Sequence, residues 1–468
     1  MQTAENIQSG QMHLLYGGEC TADAYRLNGT DVYCSRRRRV APSWLSACEE
    51  ERYRTKDMLE EITDLSNLSL ACQQVIKNKG GAGVDGMSTA SLKDWFGVNY
   101  KALQSSILNG NYRPSPIKGV QIPKSNGGYR QLGIPTVIDR LVQQAIYQVL
   151  SRRYERIFSF SSHGFRKGRG TKTALRMSEE HIESGFNYVV DLDMAKFFDE
   201  VNHDRLMKHL SYRIGDFRVL QLIRLILQTG ILSSGLSSQR LKGTPQGSPL
   251  SPLLSNIVLD ELDKELEYRG HRFVRYADDL LIFTKSEQSA CRVKDSITRY
   301  LEDRLKLRVN KEKSAIRRPY ELNYLGHSFT LKGERTLSTE SERRFKRKVV
   351  QLTKRNRGIS FEAMLKELTP VLRGWLAYFR EAKMRRKLEN LDAWIRRRLR
   401  CFRLKQCKRP IGIYRFCMKN GKLSKRKSWR IAASRKGWFR KALTPQAHLV
   451  MDKQWFTEAG YYSLIDHY

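Results

Sequence analysis

Two short apolar runs of the chain flank a segment that carries a pair of acids. The runs are Phe273-Val274-Arg275 and Leu280-Leu281-Ile282-Phe283, and Tyr276-Ala277-Asp278-Asp279 lies between them. This pattern predicts a strand, a tight turn and a second strand with buried flanks. Adjacent carboxylates repel each other unless a cation lies beside them, and Mg²⁺ favours one or two carboxylates plus substrate phosphates. The hairpin is therefore a candidate metal site with the chemistry of nucleotidyl transfer.

A second acid-bearing strand is predicted at residues 188–194. Its β-branched residues favour extended structure, and Asp191 and Asp193 share one face because side chains alternate with a period of two. Two acids on a half-buried strand are costly unless they meet cations. The strand is therefore a second candidate for cation binding, and the aromatic pair Phe197-Phe198 follows it.

A basic hairpin is predicted within residues 120–135. Two apolar arms flank Asn126-Gly127-Gly128, which is a strong turn signal. Lys124 and Arg130 stand on the two arms, an arrangement that suits a flap over a triphosphate. A solvated, charged hairpin is the commoner structure with this pattern, so both interpretations stay open.

Helical periodicity marks further stretches of the chain. We predict helices over residues 56–77 and 136–151, a helix that begins near Ser251-Pro252, and a helix that begins at Thr369-Pro370. Between them, residues 79–86 form a glycine-rich loop without the Gly-Lys-Ser/Thr of a Walker loop. Residues 162–170 are basic and rich in glycine, which fits a nucleic-acid-tracking loop better than a core element.

A helix near residues 391–403 separates apolar residues from arginines. The apolar face carries Leu391, Trp394, Ile395, Leu399 and Phe402, and the arginines are Arg396, Arg397, Arg398, Arg400 and Arg403. A solvated charged face usually mixes acids among the bases. Acids are nearly absent here, which favours phosphate contact over a merely solvated face.

The charge of the chain indicates a polyanionic partner. The formal net charge is +37, from 85 lysines and arginines against 48 acids. From Leu331 to Tyr468, 37 basic residues stand against 11 acidic ones, a surplus of 26. Such a field repels the protein from itself, and a nucleic acid is its natural counterweight. The C-terminal third is therefore the predicted polyanion-binding surface, and a merely basic protein is the alternative.

Cysteine usage and hydropathy exclude other classes. The eight cysteines include no C-x-x-C pair, which argues against a zinc finger, a zinc-bearing endonuclease appendage and a disulfide framework. No apolar run approaches the length of a membrane span, and the N-terminus lacks the order of a secretory signal. We expect reduced thiols, a cytoplasmic protein and no membrane partner.

Seven sequence blocks, in order, carry a family resemblance. They are IPKSNGGYRQLGIPTVIDRLVQ, SSHGFRKGRGTKTA, VVDLDMAKFFDEVNHDRL, GTPQGSPLSPLLSNIVLDELD, FVRYADDLLIF, LRVNKEKS and NYLGHSF. The chain resembles a group II intron-encoded reverse transcriptase from about residue 60 to its last residue. NKGGAGVDGMS resembles the family's N-terminal extension, and LTPVLRGWLAYFREA and WIRRRLRCFRLKQCKRP resemble its thumb/maturase region. A lone Tyr-x-Asp-Asp motif recurs by chance, but blocks in this order are specific.

The resemblance implies an α+β fold: a right-hand polymerase with fingers and a palm of antiparallel sheet and helices, followed by an α-helical thumb/maturase region. The expected division is 1–55 for an N-terminal extension of unknown role, 56–185 for the fingers, 186–335 for the palm, 336–410 for the thumb/maturase region and 411–468 for a basic nucleic-acid-binding region.

The resemblance also implies catalytic residues. Asp193, Asp278 and Asp279 match the palm's metal-binding acids, and Asp193 is favoured because Phe198 follows at the family's spacing. Asp191 is the rival of Asp193 and matches no family ligand. The implied cofactor is a pair of Mg²⁺ ions, for which Mn²⁺ can substitute.

Further positions are implied for substrates and nucleic acid. The substrate set is Lys124 and Arg130 for the triphosphate, Phe198 for exclusion of a 2′-hydroxyl, Gln246 and Gly247 for the nucleotide sugar and templating pair, and Lys313 as a proton donor to pyrophosphate. The nucleic-acid set is Arg166, Lys167 and Arg169, the primer-grip turn Leu325-Gly326, and Arg396, Arg397 and Arg400.

The implied function is RNA-directed DNA synthesis combined with maturase activity on an intron. The expected partners are group II intron RNA, an RNA template with a DNA primer, target DNA and dNTPs, in the bacterial cytoplasm or nucleoid; a homodimer stays open. A splicing-only maturase and a host defence or repair reverse transcriptase are the alternatives. The intact acids argue against the first, and the maturase similarity with Ala277 argues against the second. Without paired cysteines for a zinc-bearing HNH module, we expect no endonuclease activity of the chain's own.

Overall fold

A computed structural model describes residues 57–123, 128–233, 236–238 and 240–468. The expectations for residues 1–55 and for Lys124 lie outside the described residues, as does the side chain of Arg130. Among the described helices, none is long and apolar enough to cross a membrane.

Helices dominate the described chain. Their bounds are α1 Met58–Thr63, α2 Leu65–Lys77, α3 Leu92–Leu108, α4 Val137–Tyr154, α5 Thr171–Glu183, α6 Phe197–Glu200, α7 His203–Ser211, α8 Phe217–Gln228, α9 Ser251–Tyr268, α10 Glu287–Arg299, α11 Thr339–Leu352, α12 Phe361–Phe379, α13 Arg385–Gln406, α14 Pro410–Lys419, α15 Lys425–Ala432, α16 Trp438–Lys441, α17 Pro445–Val450 and α18 Lys453–Glu458. The strands are β1 Ile117–Pro123, β2 Tyr129–Ile134, β3 Tyr188–Asp193, β4 Ile231–Ser233, β5 Leu236–Ser238, β6 Arg272–Tyr276, β7 Asp279–Thr284, β8 Ala315–Arg317, β9 His327–Phe329 and β10 Arg335–Leu337.

The chain divides into two compact units. The first contains the described residues up to Ser178 together with Tyr188–Ile316, and the second contains Glu179–Asn187 and Arg317–Tyr468. Each unit has its own cluster of buried apolar residues. The four domain bounds predicted from the sequence stay predictions.

The first unit holds two four-stranded sheets. One has the order β6-β7-β3-β8, with β7 antiparallel to both β6 and β3. The other has the order β2-β1-β4-β5, and β1 and β2 form the antiparallel hairpin that the sequence predicts. Helix α9 buries Leu254, Ile257, Val258 and Leu262, as its apolar spacing predicts, in the same apolar cluster as Leu280 and Ile282 of β7.

The second unit is mostly helical, and a buried aspartate ties its C-terminal segment to α13. Asp392 has no exposed surface. It accepts hydrogen bonds from the Tyr461 hydroxyl at 2.6 Å, the Ser463 hydroxyl at 3.0 Å, and the backbone amides of Leu464 at 3.0 Å and Ile465 at 2.9 Å. A buried carboxylate with four donors is well compensated, so this contact fixes the last residues against the helix.

Two helix predictions were wrong, one at its start and one in its interior. The helix expected to begin at Thr369-Pro370 begins at Phe361, where Ser360 caps the backbone amide of Ala363, and Pro370 lies inside it. Its buried apolar positions continue on both sides of Pro370, so packing outweighs the proline's local cost. The single helix expected over 56–77 is two helices, because Asp64 leaves the helical conformation and caps α2 through Ser66.

Candidate active site

The acidic segment forms the predicted turn between β6 and β7. Tyr276 pairs with Asp279 as the last pair of the two strands, so Ala277 and Asp278 make the turn itself. Ala277 has a φ of 56°, in the left-handed region that is unusual for a residue with a side chain. The two acids therefore stand at the tip of a hairpin whose arms are held by buried residues.

The third acid lies level with this tip. Asp193 ends β3 and pairs with Asp279 across the β3–β7 ladder, whereas Asp191 pairs with Leu281. The sheet register thus brings Asp193, and not Asp191, beside the hairpin acids. The alternation of side chains could not choose between the two, because both lie on the same face of β3, and only the family spacing to Phe198 favoured Asp193.

Like charges accumulate at this edge of the sheet. The side chain of Asp279 is exposed to solvent at the end of β7. Nevertheless, desolvation by the surrounding protein raises the pKa of its carboxyl to about 7, and the charges of Asp278, Asp193 and Asp191 add to the effect. A cation at this place would relieve the repulsion.

A lysine and a neutral amide of the protein lie against the Asp193 carboxylate. The Lys313 ammonium lies 3.2 Å from the Asp193 carboxylate, and the Asn310 side-chain amide donates to the same oxygen at 3.1 Å. The Ser314 hydroxyl accepts from the Asp193 backbone amide at 3.0 Å. Lys313, a position predicted from the sequence, therefore lies at the acidic cluster.

The donor chemistry of the three aspartates fits a hard divalent cation, which prefers carboxylate oxygens. Over the described residues, however, no three histidine, cysteine, aspartate or glutamate side chains converge closely enough to hold an ion. The Lys313 ammonium neutralises one carboxylate in that arrangement. The chemistry of the three carboxylates thus fits a metal, and the Lys313 ammonium lies against one of them.

The predicted nucleotide-binding residues also meet in the first unit. The backbone amide of Thr244 donates to the Phe198 carbonyl at 2.6 Å, and the Gln246 side chain lies 3.4 Å from the Asp199 carboxylate. The Gln246 carbonyl accepts from the Gly133 amide of β2 at 2.8 Å. A Cβ on Gly247, whose φ is 117°, would lie 2.5 Å from the Gly133 oxygen, so glycine is required there. The loop thus contacts both the aromatic segment and the basic hairpin.

A buried arginine beneath the turn was missed by the sequence reasoning. Arg275 has no exposed surface, and its guanidinium contacts Asp263, the Asn256 side-chain oxygen at 2.9 Å, the Ala277 carbonyl at 3.0 Å and the Ser162 hydroxyl at 2.8 Å. The signal was present in the chain, because an arginine within an apolar strand run is costly unless paired.

The loop at 162–170 is largely a support for the turn. Gly164 packs so closely that a Cβ there would lie 2.3 Å from the Ala277 nitrogen, and the Asn256 amide donates to the Gly164 carbonyl at 2.8 Å. Arg166 is buried, bonded to the Glu155 carboxylate at 2.7 Å and to the Ser162 carbonyl. The guanidinium of Arg166 therefore serves the fold, contrary to our expectation of a nucleic-acid contact. Lys167 is exposed, and Arg169 lies over the Phe160 ring at 4.5 Å.

In the second unit, the predicted primer-grip residues form a tight turn. Leu325 and Gly326 both have positive φ, of 49° and 80°. The Leu325 carbonyl accepts from the Tyr378 hydroxyl at 2.9 Å, and the His327 Nδ1 lies 3.0 Å from it. A Cβ on Gly326 would lie 2.8 Å from the Ser341 hydroxyl. The turn is thus held rigidly against its own unit.

The arginines of α13 differ in their environments. Arg400 is buried, donates to the Met451 carbonyl at 3.0 Å and lies over the Phe456 ring at 5.3 Å. Burial lowers the pKa of Arg400 to about 10. The fold therefore uses Arg400 internally, because its helix face packs against the C-terminal segment. Arg396 and Arg397 are partly exposed, and Arg397 lies over the Phe439 ring at 4.4 Å.

Comparisons with known proteins give two family matches. The family described as "Reverse transcriptase (RNA-dependent DNA polymerase)" matches residues 122–329, and "Group II intron, maturase-specific domain" matches residues 342–421. The first match contains the three acids and the buried arginine network.

Relatives show the same likeness. Protein YkfC of Escherichia coli (strain K12) is 30% identical over 342 residues, which cover 64% of this chain and 89% of YkfC. Group II intron-encoded protein LtrA of Lactococcus lactis subsp. cremoris is 28% identical over 334 residues, covering 57% of this chain and 55% of LtrA. The chain thus spans about half the length of LtrA. A chain in the solved "Partial Cas6-RT-Cas1--Cas2 complex" is 26% identical in sequence, with a TM-score of 0.34. The matched region covers 53% of this chain and 43% of the chain in that complex.

The fold and the matches together define a reverse transcriptase. The chain belongs to the group II intron-encoded reverse transcriptases that carry a maturase domain. It is an RNA-directed DNA polymerase, and the expected α+β, right-hand polymerase fold class is confirmed. The family implies catalysis that depends on divalent metal ions and substrates that are RNA and other nucleic acid.

Proposed function

We propose that this chain copies group II intron RNA into DNA at the β6–β7 hairpin and binds the same RNA to aid splicing. The observation that carries the proposal is the pairing of Asp193 with Asp279, which places three acids at one end of one sheet. Three carboxylates at one place are unfavourable alone and suit a site that receives cations and phosphates.

Asp193, Asp278 and Asp279 would hold two Mg²⁺ ions, with Mn²⁺ as a substitute. The bound ions would activate the primer 3′-hydroxyl and neutralise the charge on the triphosphate. The nearby Lys313 would move its ammonium from Asp193 to the pyrophosphate side as metal and nucleotide enter, and supply a proton there. Desolvation and the charges of the neighbouring aspartates raise the pKa of Asp279, and bound cations would offset both effects.

The surrounding residues would select and position the dNTP. Lys124 and Arg130 on the basic hairpin would bind the triphosphate. Phe198 would exclude a ribonucleotide by contact with its 2′-hydroxyl, and Gln246 and Gly247 would line the nucleotide sugar and the templating pair. The bonds from the 243–247 loop to Phe198 and to β2 support this group acting as one site.

The nucleic acid would be held by basic residues on both units. Exposed Lys167 and partly exposed Arg169 would contact the RNA template and DNA primer, and the Leu325-Gly326 turn would grip the primer. Arg396 and Arg397 would bind intron RNA or target DNA phosphates. These partners occur together in the bacterial cytoplasm or nucleoid, where we expect the protein; a homodimer is compatible with the proposal.

Primer extension on poly(rA)/oligo(dT) with Asp278→Ala tests the polymerase site. Loss of one ligand should abolish dTMP incorporation while leaving RNA binding intact, because the substitution removes no positive charge and leaves every basic residue in place. Asp204→Ala is a matched control, since that aspartate is 83% exposed and pairs with Arg224 on the surface. Near-normal extension by Asp278→Ala would refute the assignment of the site.

A further inference from the structure

The second unit contains a cavity of about 500 Å³, and none of the described residues that line it is a candidate catalytic residue. Its size falls within the range of about 300–1,000 Å³ that is usual for small-ligand sites. The lining comes from the loop after α11, from α13 and from the start of α16: Thr353, Lys354, Arg355, Asn356, Arg398, Cys401, Lys405, Trp438 and Phe439.

The charge of this cavity is of one sign. Four of its lining residues are basic, and among the described residues that line it there is no carboxylate. Burial lowers the pKa of Arg398, and the neighbouring charges of Arg355 and Arg397 lower it further. The Arg398 guanidinium is fixed at the end of α11, where it donates to the Thr353 hydroxyl at 2.7 Å. A fixed cation among other cations is costly unless an anion binds there.

Aromatic side chains complete the cavity. Phe439 is 51% exposed, and the Arg397 guanidinium lies 4.4 Å from its ring centre. Trp438 is partly buried, and its carbonyl accepts from the Cys401 thiol at 3.5 Å, which ties α16 to α13. An exposed ring beside cations is the combination on which unstacked bases bind in single-stranded nucleic acid.

We propose that this cavity binds one unpaired, unstacked nucleotide of RNA. The base would stack on Phe439 beside Trp438, and its phosphate would lie among Arg355, Arg398 and Lys405. RNA is favoured because seven of the nine lining residues fall within residues 342–421, the match to the intron maturase-specific domain. The inference rests on the proposed binding of intron RNA and names the RNA feature that the second unit recognises.

The probe is a short RNA hairpin with a single bulged 2-aminopurine, compared with the same hairpin fully paired. The full-length protein should bind the bulged hairpin more tightly and change its fluorescence. Phe439→Ala should weaken that binding by about 5- to 150-fold, as expected for loss of one stacking contact. Arg355→Gln should reduce the slope of log affinity against log salt by about 0.7 to 0.9.

Matched controls separate this site from general basicity. Trp429→Ala removes a ring that is also 51% exposed, and Arg343→Gln removes a side chain that is 75% exposed outside the cavity. Trp429→Ala should leave the preference for the bulge unchanged, and Arg343→Gln should change both hairpins equally. Phe439→Leu, which keeps apolar volume without a flat ring, should behave like Phe439→Ala if the folded state is intact by thermal unfolding.

Equal binding of the bulged and paired hairpins, or unchanged binding by both Phe439 variants, would overturn the inference. A bulged DNA hairpin bound as tightly as the RNA would overturn the assignment to RNA. Wild-type primer extension is measured alongside on poly(rA)/oligo(dT). Its absence would refute the proposed polymerase function, while the hairpin measurements would still decide the nucleotide cavity.

Discussion

Arg275 and Asp263 form an ion pair with no solvent exposure on either side chain, directly beneath the acidic turn. The Arg275 Nε donates to the Asp263 carboxylate at 2.7 Å, and its Nη1 donates to the carbonyl of Ala277 at 3.0 Å. Asp263 lies on α9, so the pair connects a core helix to the turn. Ala277 holds a left-handed φ, and a backbone in that region persists only when its surroundings fix it.

We predict that this pair positions the acids, and that its removal can be separated from loss of stability. Arg275→Met alone should lower the free energy of unfolding by about 3–5 kcal/mol, because Asp263 is left buried without a partner. The double variant Arg275→Met with Asp263→Leu should regain most of that stability, because apolar replacement of a buried pair is often neutral. Its kcat in primer extension should nevertheless stay about 100-fold low, since a small misplacement of catalytic groups has effects of that size.

Thermal unfolding and single-nucleotide incorporation on the same preparations check this prediction. A double variant with both wild-type stability and wild-type kcat would show that the pair has no role in positioning. The partly exposed pair Arg205–Glu261, replaced in the same way, is the control for a general effect of removing ion pairs.

Phe198 is expected to select deoxynucleotides. It lies on α6, directly after the β3 strand that ends in Asp193, and its carbonyl is bound by the loop that carries Gln246. Phe198→Val should raise the use of rNTP relative to dNTP by about 10- to 100-fold, because a smaller side chain leaves room for the 2′-hydroxyl.

Competition between dNTP and rNTP in single-nucleotide incorporation measures this preference. Phe217→Ala, at an aromatic that is 71% exposed on α8, should leave it unchanged. An unaltered preference in Phe198→Val would place the selection elsewhere in the site.

The sequence predicted the strands and helix that carry the candidate site because their signals are local. The acidic hairpin, the β1–β2 hairpin and the start of α9 follow from alternation and turn residues within a few positions. The roles of Arg166, Arg275 and Arg400 could not be read in this way. Their partners Glu155, Asp263 and Met451 lie 11, 12 and 51 residues away, so only the fold decides which arginines are buried.

His327 should make the protein sensitive to acid. It is buried in the second unit beside Phe379, and burial lowers its pKa to about 4. Between about pH 6.5 and 4, His327 is protonated in the unfolded chain and neutral in the folded chain. Its contribution to the free energy of unfolding is therefore fully present above about pH 6.5 and is lost as the pH falls to about 4. The shift corresponds to roughly 3 kcal/mol at the low end of the window.

His327→Asn retains a donor for the Leu325 carbonyl and removes the titrating ring. The free energy of unfolding of this variant should fall less steeply than that of the wild type between pH 6.5 and 4, by denaturant titration at each pH. The same slope in both proteins would show that His327 does not control the acid response.

The same substitution at Arg396 and at Arg400 should change different properties: the salt dependence of RNA binding for Arg396, and the free energy of unfolding for Arg400. Arg396 is partly exposed, so Arg396→Gln should flatten the dependence of log RNA affinity on log salt by about 0.7 to 0.9, with little change in stability. Arg400 is buried against Met451 and Phe456, so Arg400→Gln should lower the free energy of unfolding by about 1–3 kcal/mol through lost charged hydrogen bonding. At temperatures where the variant is folded, its salt slope should equal that of the wild type.

Filter binding across a salt series, with denaturant unfolding of the same samples, measures both quantities. A flattened slope in Arg400→Gln with unchanged stability would mean that its guanidinium reaches phosphate after all.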